Sequence, residues 1–250
     1  MRTPVIDFHA RFVPRPDALD RLLAAMDDNG IGRAAVSAGG VIELDRLSRQ
    51  VVEGGHADED ADNDAVLAAC AGSAGRLLPF FFANPHRDPD DYRARTGEFR
   101  GLELSPAVHG VALTDPRTVR LVAVAERAAH PVYVVCLPRP GARVADLVAL
   151  ARRFPAVRFV LGHLGVTLID TFGVGLVAGE PNISVETSGG YTATLRVALD
   201  RLGAHRLVFG TEYPLQHPRV ELAKFAALRL ADRDWRLISA GNALRLLGEE

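Results

Sequence analysis

Short runs rich in β-branched and aromatic residues alternate along the whole chain with longer stretches in which apolar residues recur every three or four positions. The short runs read as strands at Pro4–Phe8, Arg33–Ser37, Leu77–Ala83, Gly101–Leu104, Val132–Cys136, Val157–Leu161, Asn182–Val185 and Arg206–Phe209. Between them, Leu19, Leu22, Leu23 and Met26, and later Val119, Val122 and Ala123, fall at helical spacing. Strands that alternate with helices predict parallel pairing, and eight of them predict a closed (β/α)8 TIM barrel of the α/β class. A doubly wound open sheet is the competing architecture, but no GxGxxG follows the first strand.

One stretch breaks the rhythm. Residues 39–64 hold two glycine pairs, Gly39-Gly40 and Gly54-Gly55, and then the acidic run HADEDADND. Such a segment reads as a solvated loop. Its place after the second strand also allows a lid, because the loops that follow barrel strands build active sites. The tail after Asp232 reads as closing helices. No repeat or linker divides residues 1–250, which are expected to form a single barrel.

Composition narrows the function classes. The chain has 250 residues, 48% hydrophobic and 24% charged, with a net charge of -2. A core-forming globular protein is expected, without the basic footprint of a nucleic-acid binder or a polybasic membrane segment. The first residues lack an apolar signal region, no run is long enough to span a bilayer, and a cytoplasmic location is the expectation. Cys70 and Cys136 are too few for a disulfide framework. Lys224 is the only lysine, and codon usage is a sufficient reading of that bias.

The candidate chemistry lies at strand ends. Strict alternation in VIDFHAR would put Asp7, His9 and Arg11 on the barrel interior and Ile6 and Phe8 in the helix layer. Glu103 in GLELSP, His163 in FVLGHLG, Glu186 in ISVETSG and Glu212 in VFGTEYP each follow an apolar run, at the positions where barrels place catalytic groups. Singly, each could be a cap or a surface residue; the signal is in the set. His109, on the loop after the fourth strand, could face the same pocket. His56, His86, His130, His205 and His217 read as solvated. Cys136 reads as a small apolar residue with no adjacent base in sequence.

At these residues the chain resembles the amidohydrolase superfamily, in the branch of aminocarboxymuconate-semialdehyde decarboxylase and γ-resorcylate decarboxylase. IDFHARFVP resembles the HxH motif of the first strand, LDRLLAAMDDNGIGRAAVS the helix and strand that follow, and GLELSP the fourth strand. HPVYVVC, LGHLG, FGTEYP and GNALRLL resemble the fifth, sixth and eighth strands and the terminal helix. The resemblance implies His9 as the first histidine of HxH and His163 as a catalytic histidine. Arg11 then stands where the second histidine is expected, Val135 at the fifth-strand histidine, and Glu212 at the eighth-strand aspartate.

That ligand loss sets the functional expectations. A catalytic zinc typically takes three protein ligands plus water, and the fixed charge of Arg11 would repel a divalent ion. The expectation is therefore no cofactor, with Arg11 supplying the metal's positive charge and pairing with Glu212. The alternative is one zinc at His9, Glu103, His163 and Glu212. Without a metal, the enzyme reading is hydrolysis of a lactone or ester, or decarboxylation, of a small anionic substrate. In that reading Arg11 is the clamp, His163 or Glu212 the base, and Asp7, Glu103, His109 and Glu186 bind substrate. The superfamily offers a parallel, since 2-pyrone-4,6-dicarboxylate lactonase resembles these barrels and works without metal. A non-catalytic binding or partner protein and a metal enzyme with altered ligands stay open, as does a homodimer.

Overall fold

The computed structural model describes residues 5–166 and 168–249. Eight parallel strands pair in chain order: β1 (Val5–Phe12), β2 (Ile31–Ala38), β3 (Leu77–Phe82), β4 (Gly101–Leu104), β5 (Val132–Val134), β6 (Phe159–Leu161), β7 (Ile183–Glu186) and β8 (Leu207–Val208). The two ends of the sheet meet through backbone hydrogen bonds. Phe8 N–H donates to the Phe209 carbonyl and Glu212 N–H to the His9 carbonyl, both at 2.8 Å. The expected TIM barrel is the architecture found. Pro4, read as the start of the first strand, lies outside the described residues. Among those residues no helix is long and apolar enough to cross a membrane.

The helices between strands follow from local sequence. In Pro116–Arg127, proline occupies the first turn, where its missing N–H costs nothing, and the Asp115 carboxylate accepts from Arg117 N–H at 2.8 Å. The helix buries Val119, Leu121, Val122, Val124 and Ala125. Removing the cap with Asp115→Ala would cost about 1 kcal/mol.

Two apolar clusters separate the outside of the sheet from its inside. The larger joins Ala34, Val36, Val132, Val134, Ile183 and Val185 to helix residues such as Leu22, Met26 and Val122. The smaller joins Ile6, Phe8, Ala35, Phe80, Tyr133, Val160 and Val208, which come from strands all round the barrel and can meet only in its interior. Strict alternation in β1 is thereby corrected. The β1–β2 register shifts between Asp7 and Ala10, a bulge that lets Ile6 and Phe8 face inward below and Arg11, paired with Ser37, face inward above. Asp7, registered with Ala34, points the other way from Ile6 and Phe8.

The terminal helix Asn242–Leu247 closes the amino-terminal end: its Ala243, Leu246 and Leu247 join the interior cluster. Arg33 and Arg100, just at the starts of β2 and β4, both donate to the Glu249 carboxylate, at 2.5 and 2.7 Å.

The segment 39–64 is a fastened cover with its own helix, Leu44–Glu53. The buried Gln50 side chain donates to the Ala107 and Val108 carbonyls, at 3.0 Å each, and Ala57 N–H donates to the Val108 carbonyl at 2.8 Å. The acidic run is only partly solvated, because Asn84 and Arg87 both donate to Asp60.

Candidate active site

Above the interior cluster, at the carboxyl ends of the strands, lies a cavity of about 870 Å³. Phe82, Val108, Val135 and Leu137 line it from the barrel, Ile42 and Leu47 from the cover. At the strand ends its polar lining includes Arg11, His163 and Glu212.

Arg11 reaches three partners. Its Nε donates to Glu212 Oε1 and one Nη2 proton to Glu103 Oε1, both at 2.8 Å, while Nη1 donates to the Ala38 carbonyl at 3.3 Å. The expected Arg11–Glu212 ion pair is thus present, with a second carboxylate added. Glu103 is fully enclosed, and its other oxygen takes His9 Nε2 at 3.3 Å. Burial alone would raise the Glu103 pKa, but Arg11 and His9 outweigh it and hold the value down to about 2. Glu212 lies well below the usual carboxylate range for the same reason: burial opposes the shift, and Arg11, His9 and His163 overcome it.

His9 stacks on Tyr133, ring centroids 4.0 Å apart and planes 4° from parallel. With Nε2 committed to Glu103, Nδ1 faces Glu212 Oε2. The two atoms are in contact without hydrogen-bond geometry, and each is buried with no hydrogen-bond partner. Burial disfavours the imidazolium, yet Glu212 and Glu103 push the His9 pKa up to about 10. The cluster holds two carboxylates against one guanidinium. It therefore demands another positive charge, either a proton on His9 or a cation at the paired orphan atoms.

His163 completes the group. It ends β6 in a turn, its backbone N–H donates to Glu186 Oε2 at 3.1 Å, and its Nδ1 lies 2.9 Å from Ser188 Oγ. The Ser188 hydroxyl donates to Glu186 Oε2 at 2.9 Å, so its oxygen is left to accept the His163 Nδ1–H. That arrangement leaves the Nε2 lone pair facing the cavity, 3.7 Å from Glu212 Oε2. Glu186 is a hub with no exposed surface, accepting also from Tyr133 Oη at 2.8 Å and from Ser188 N–H at 2.5 Å. Its approach needs glycine at 210, where a Cβ would collide with Glu186 Oε1. Three residues at the site, His163, Leu164 and Glu212, hold left-handed φ of 57°, 58° and 58°. L-residues resist that conformation by about 1–2 kcal/mol each, a cost the surrounding hydrogen bonds must offset.

The other sequence candidates stand behind this wall. Asp7 is buried, accepts from Thr211 Oγ1 at 2.5 Å and from the Thr211 and His9 N–H groups at 3.0 and 3.1 Å, and ties β1 to the end of β8. Burial raises its pKa to about 7. His109 is enclosed, with Nε2 3.2 Å from the Glu59 carbonyl, and anchors the cover. Asp7, Glu103, His109 and Glu186, read as substrate-binding, do not line the cavity. His86 and His130, read as solvated, are half-buried, on the His109 carbonyl and the Tyr92 hydroxyl respectively. The sequence reading passed over Ser188 and Tyr133. The polar run Glu186-Thr187-Ser188 directly after an apolar strand was the available signal for Ser188.

His9, His163 and Glu212 each offer a ligand atom, and these atoms lie within 4.8 Å of one another. Three nitrogen and oxygen donors with two orphan atoms among them fit a divalent cation.

The profile of a protein family described as Amidohydrolase matches residues 6–248. No curated protein matches the chain by sequence. Among solved structures, the chain is similar to a 2,6-dihydroxybenzoate decarboxylase from Rhizobium (18% identity, 98% of this chain and 99% of that one, TM-score 0.71). It is also similar to a 5-carboxyvanillate decarboxylase from Novosphingobium aromaticivorans, in complex with manganese and 4-hydroxy-3-methoxy-5-nitrobenzoic acid (14%, 99% and 96%, TM-score 0.73). A third is a structure assigned as a 2-pyrone-4,6-dicarboxylic acid hydrolase from Pseudomonas putida (17%, 100% and 99%, TM-score 0.75).

These findings correct the expectation of no cofactor. A barrel of this fold holds manganese, and the present chain brings His9, His163 and Glu212 together as a donor group. Arg11 does not exclude a cation, because Glu103 and Glu212 neutralise its charge. The four-residue zinc set is corrected too, since Arg11 and His9 occupy both oxygens of Glu103.

Proposed function

The chain belongs to the amidohydrolase family, and from that premise we propose that it is a divalent-metal hydrolase acting on an ester or lactone of a small carboxylate. The observation that carries the reading is the trio His9, His163 and Glu212, with its orphan Nδ1 and Oε2 atoms; His163 and Glu212 line a cavity of about 870 Å³ and His9 lies buried behind them. A divalent cation bound there supplies Lewis acidity toward a substrate oxygen and makes water more acidic.

The chain's own residues prepare the site. Glu103 fixes His9 through Nε2 and leaves Nδ1 as the donor, while Arg11 engages Glu212 Oε1 and leaves Oε2 as the other. Such outer contacts orient ligands and set their tautomer. Arg11 is a positioning residue in this reading, because its donors are spent on protein acceptors. Its depressed pKa makes Glu212 a good donor to a cation and a weak base. His163 completes the donor set through Nε2, because its Nδ1–H is held by Ser188. Apolar walls at Phe82, Val108 and Val135 hold the substrate body and exclude bulk water.

Decarboxylation is the second reading, favoured by the likeness to the two decarboxylase barrels. Protein prepared with manganese and offered lactones, aryl esters and aromatic carboxylates decides between them. Hydrolysis that is lost on chelation supports the first reading, and carbon dioxide release replaces it with the second. Turnover that survives complete metal removal overturns both.

A further inference from the structure

We infer that Lys224 is a positioning residue that braces the loop Thr187–Gly190 and through it fixes the ring of His163. The inference rests on the reading of His163 as part of the cation centre. Two carbonyls accept from one nitrogen, and a carboxylate pairs with its charge. Lys224 Nζ donates to the Thr187 carbonyl at 2.8 Å and the Gly190 carbonyl at 2.9 Å, and lies 2.5 Å from Glu221 Oε2. Glu221 is itself buried, and its Oε1 accepts from Gly189 N–H at 3.2 Å. One ion pair on the helix Pro218–Leu228 therefore grips the loop at its first, third and fourth residues.

The second residue of that loop is Ser188, whose hydroxyl links His163 Nδ1 to Glu186. The loop's position sets where that oxygen sits, and the oxygen sets which imidazole nitrogen carries the proton. An ammonium is a compact point charge with rotatable protons, suited to two carbonyls and a carboxylate around one atom.

The test uses the full chain and manganese alone as probe. In Lys224→Met, manganese affinity measured by calorimetry is expected to fall about 10-fold, the lower end of the cost of losing an outer contact, because Lys224 acts on His163 through Ser188. Histidine 15N shifts of the metal-free protein, at a pH where imidazole is neutral, are expected to show His163 as the Nδ1–H tautomer in the wild type and as a mixture in the variant. If a lone Glu221 carboxylate prevents folding, Lys224→Met/Glu221→Gln removes that charge and is read in the same way. A folded variant with unchanged manganese affinity and an unchanged His163 tautomer overturns the inference, whatever its melting temperature. If the wild type binds no manganese, the cation centre fails as a reading, and the tautomer comparison still decides the role of Lys224.

Discussion

Arg11 and Glu103 face each other across 2.8 Å, and Glu103 has no solvent-exposed surface at all. The carboxylate at the end of β4 therefore serves the guanidinium and the His9 ring rather than a ligand. Removing one partner of a buried ion pair costs about 3–5 kcal/mol, because the other charge is stranded. Glu103→Ala is expected to lose stability in that range by urea denaturation. A loss below about 1 kcal/mol, the value of an exposed pair, would show that Arg11 finds water instead.

Protein expressed with manganese should carry close to one divalent ion per chain by elemental analysis, and His9→Ala or Glu212→Ala should abolish it. An ion present at a hundred times its dissociation constant stabilises the fold by about 2.7 kcal/mol. Chelation should accordingly lower the melting temperature of the wild type and leave that of His9→Ala unchanged. Equal effects of chelator on both proteins would place the ion elsewhere.

His163→Asn keeps a polar side chain at the turn but loses the Nε2 donor to the cation. Manganese affinity and turnover are expected to fall together, by at least the roughly 10–100-fold that losing an outer contact costs. The melting temperature should fall when manganese is present and change little when it is absent. An active His163→Asn protein with unchanged manganese affinity would remove His163 from the donor set.

Acid stability should depend on His130, far from the cavity. Burial, then the charges of Arg100 and Arg158, depress its pKa from 6.5 to about 4, and neutral Nδ1 sits 2.8 Å from the Tyr92 hydroxyl. The unfolded chain takes up this proton first. The histidine's contribution is thus fully present above pH 6.5 and is lost as pH falls toward about 4. His130→Gln should flatten the stability profile in that window and leave the slope above it alone. A profile that keeps its slope between those values would assign the acid lability to other groups.

Much of this was legible in the amino-acid order. The strand runs were found because β-branched and aromatic residues concentrate where a sheet is buried on both faces. His9, Arg11, His163 and Glu212 stood out because a polar residue directly after such a run has few places to go but the barrel mouth. The limits are equally physical. Alternation assigned Ile6 and Phe8 to the helix layer because it assumes an unbroken period of two, and the bulge between Asp7 and Ala10 breaks that period. Residues 39–64 looked like open loop because their acidic run hides its partners, Asn84 and Arg87, more than twenty residues away. Arg11 read as an obstacle to a cation because the second carboxylate that neutralises it comes from β4, and only folding brings it there.

The bulge also divides β1 into two vocabularies. Below it, Ile6 and Phe8 belong to the floor of the barrel; above it, Arg11 and His9 engage Glu103 and Glu212, while the His9 ring still rests on Tyr133 of that floor. A change of residue at position 11 therefore leaves the floor's packing untouched. The chemistry of the first strand can be rewritten while its architecture stays as it is.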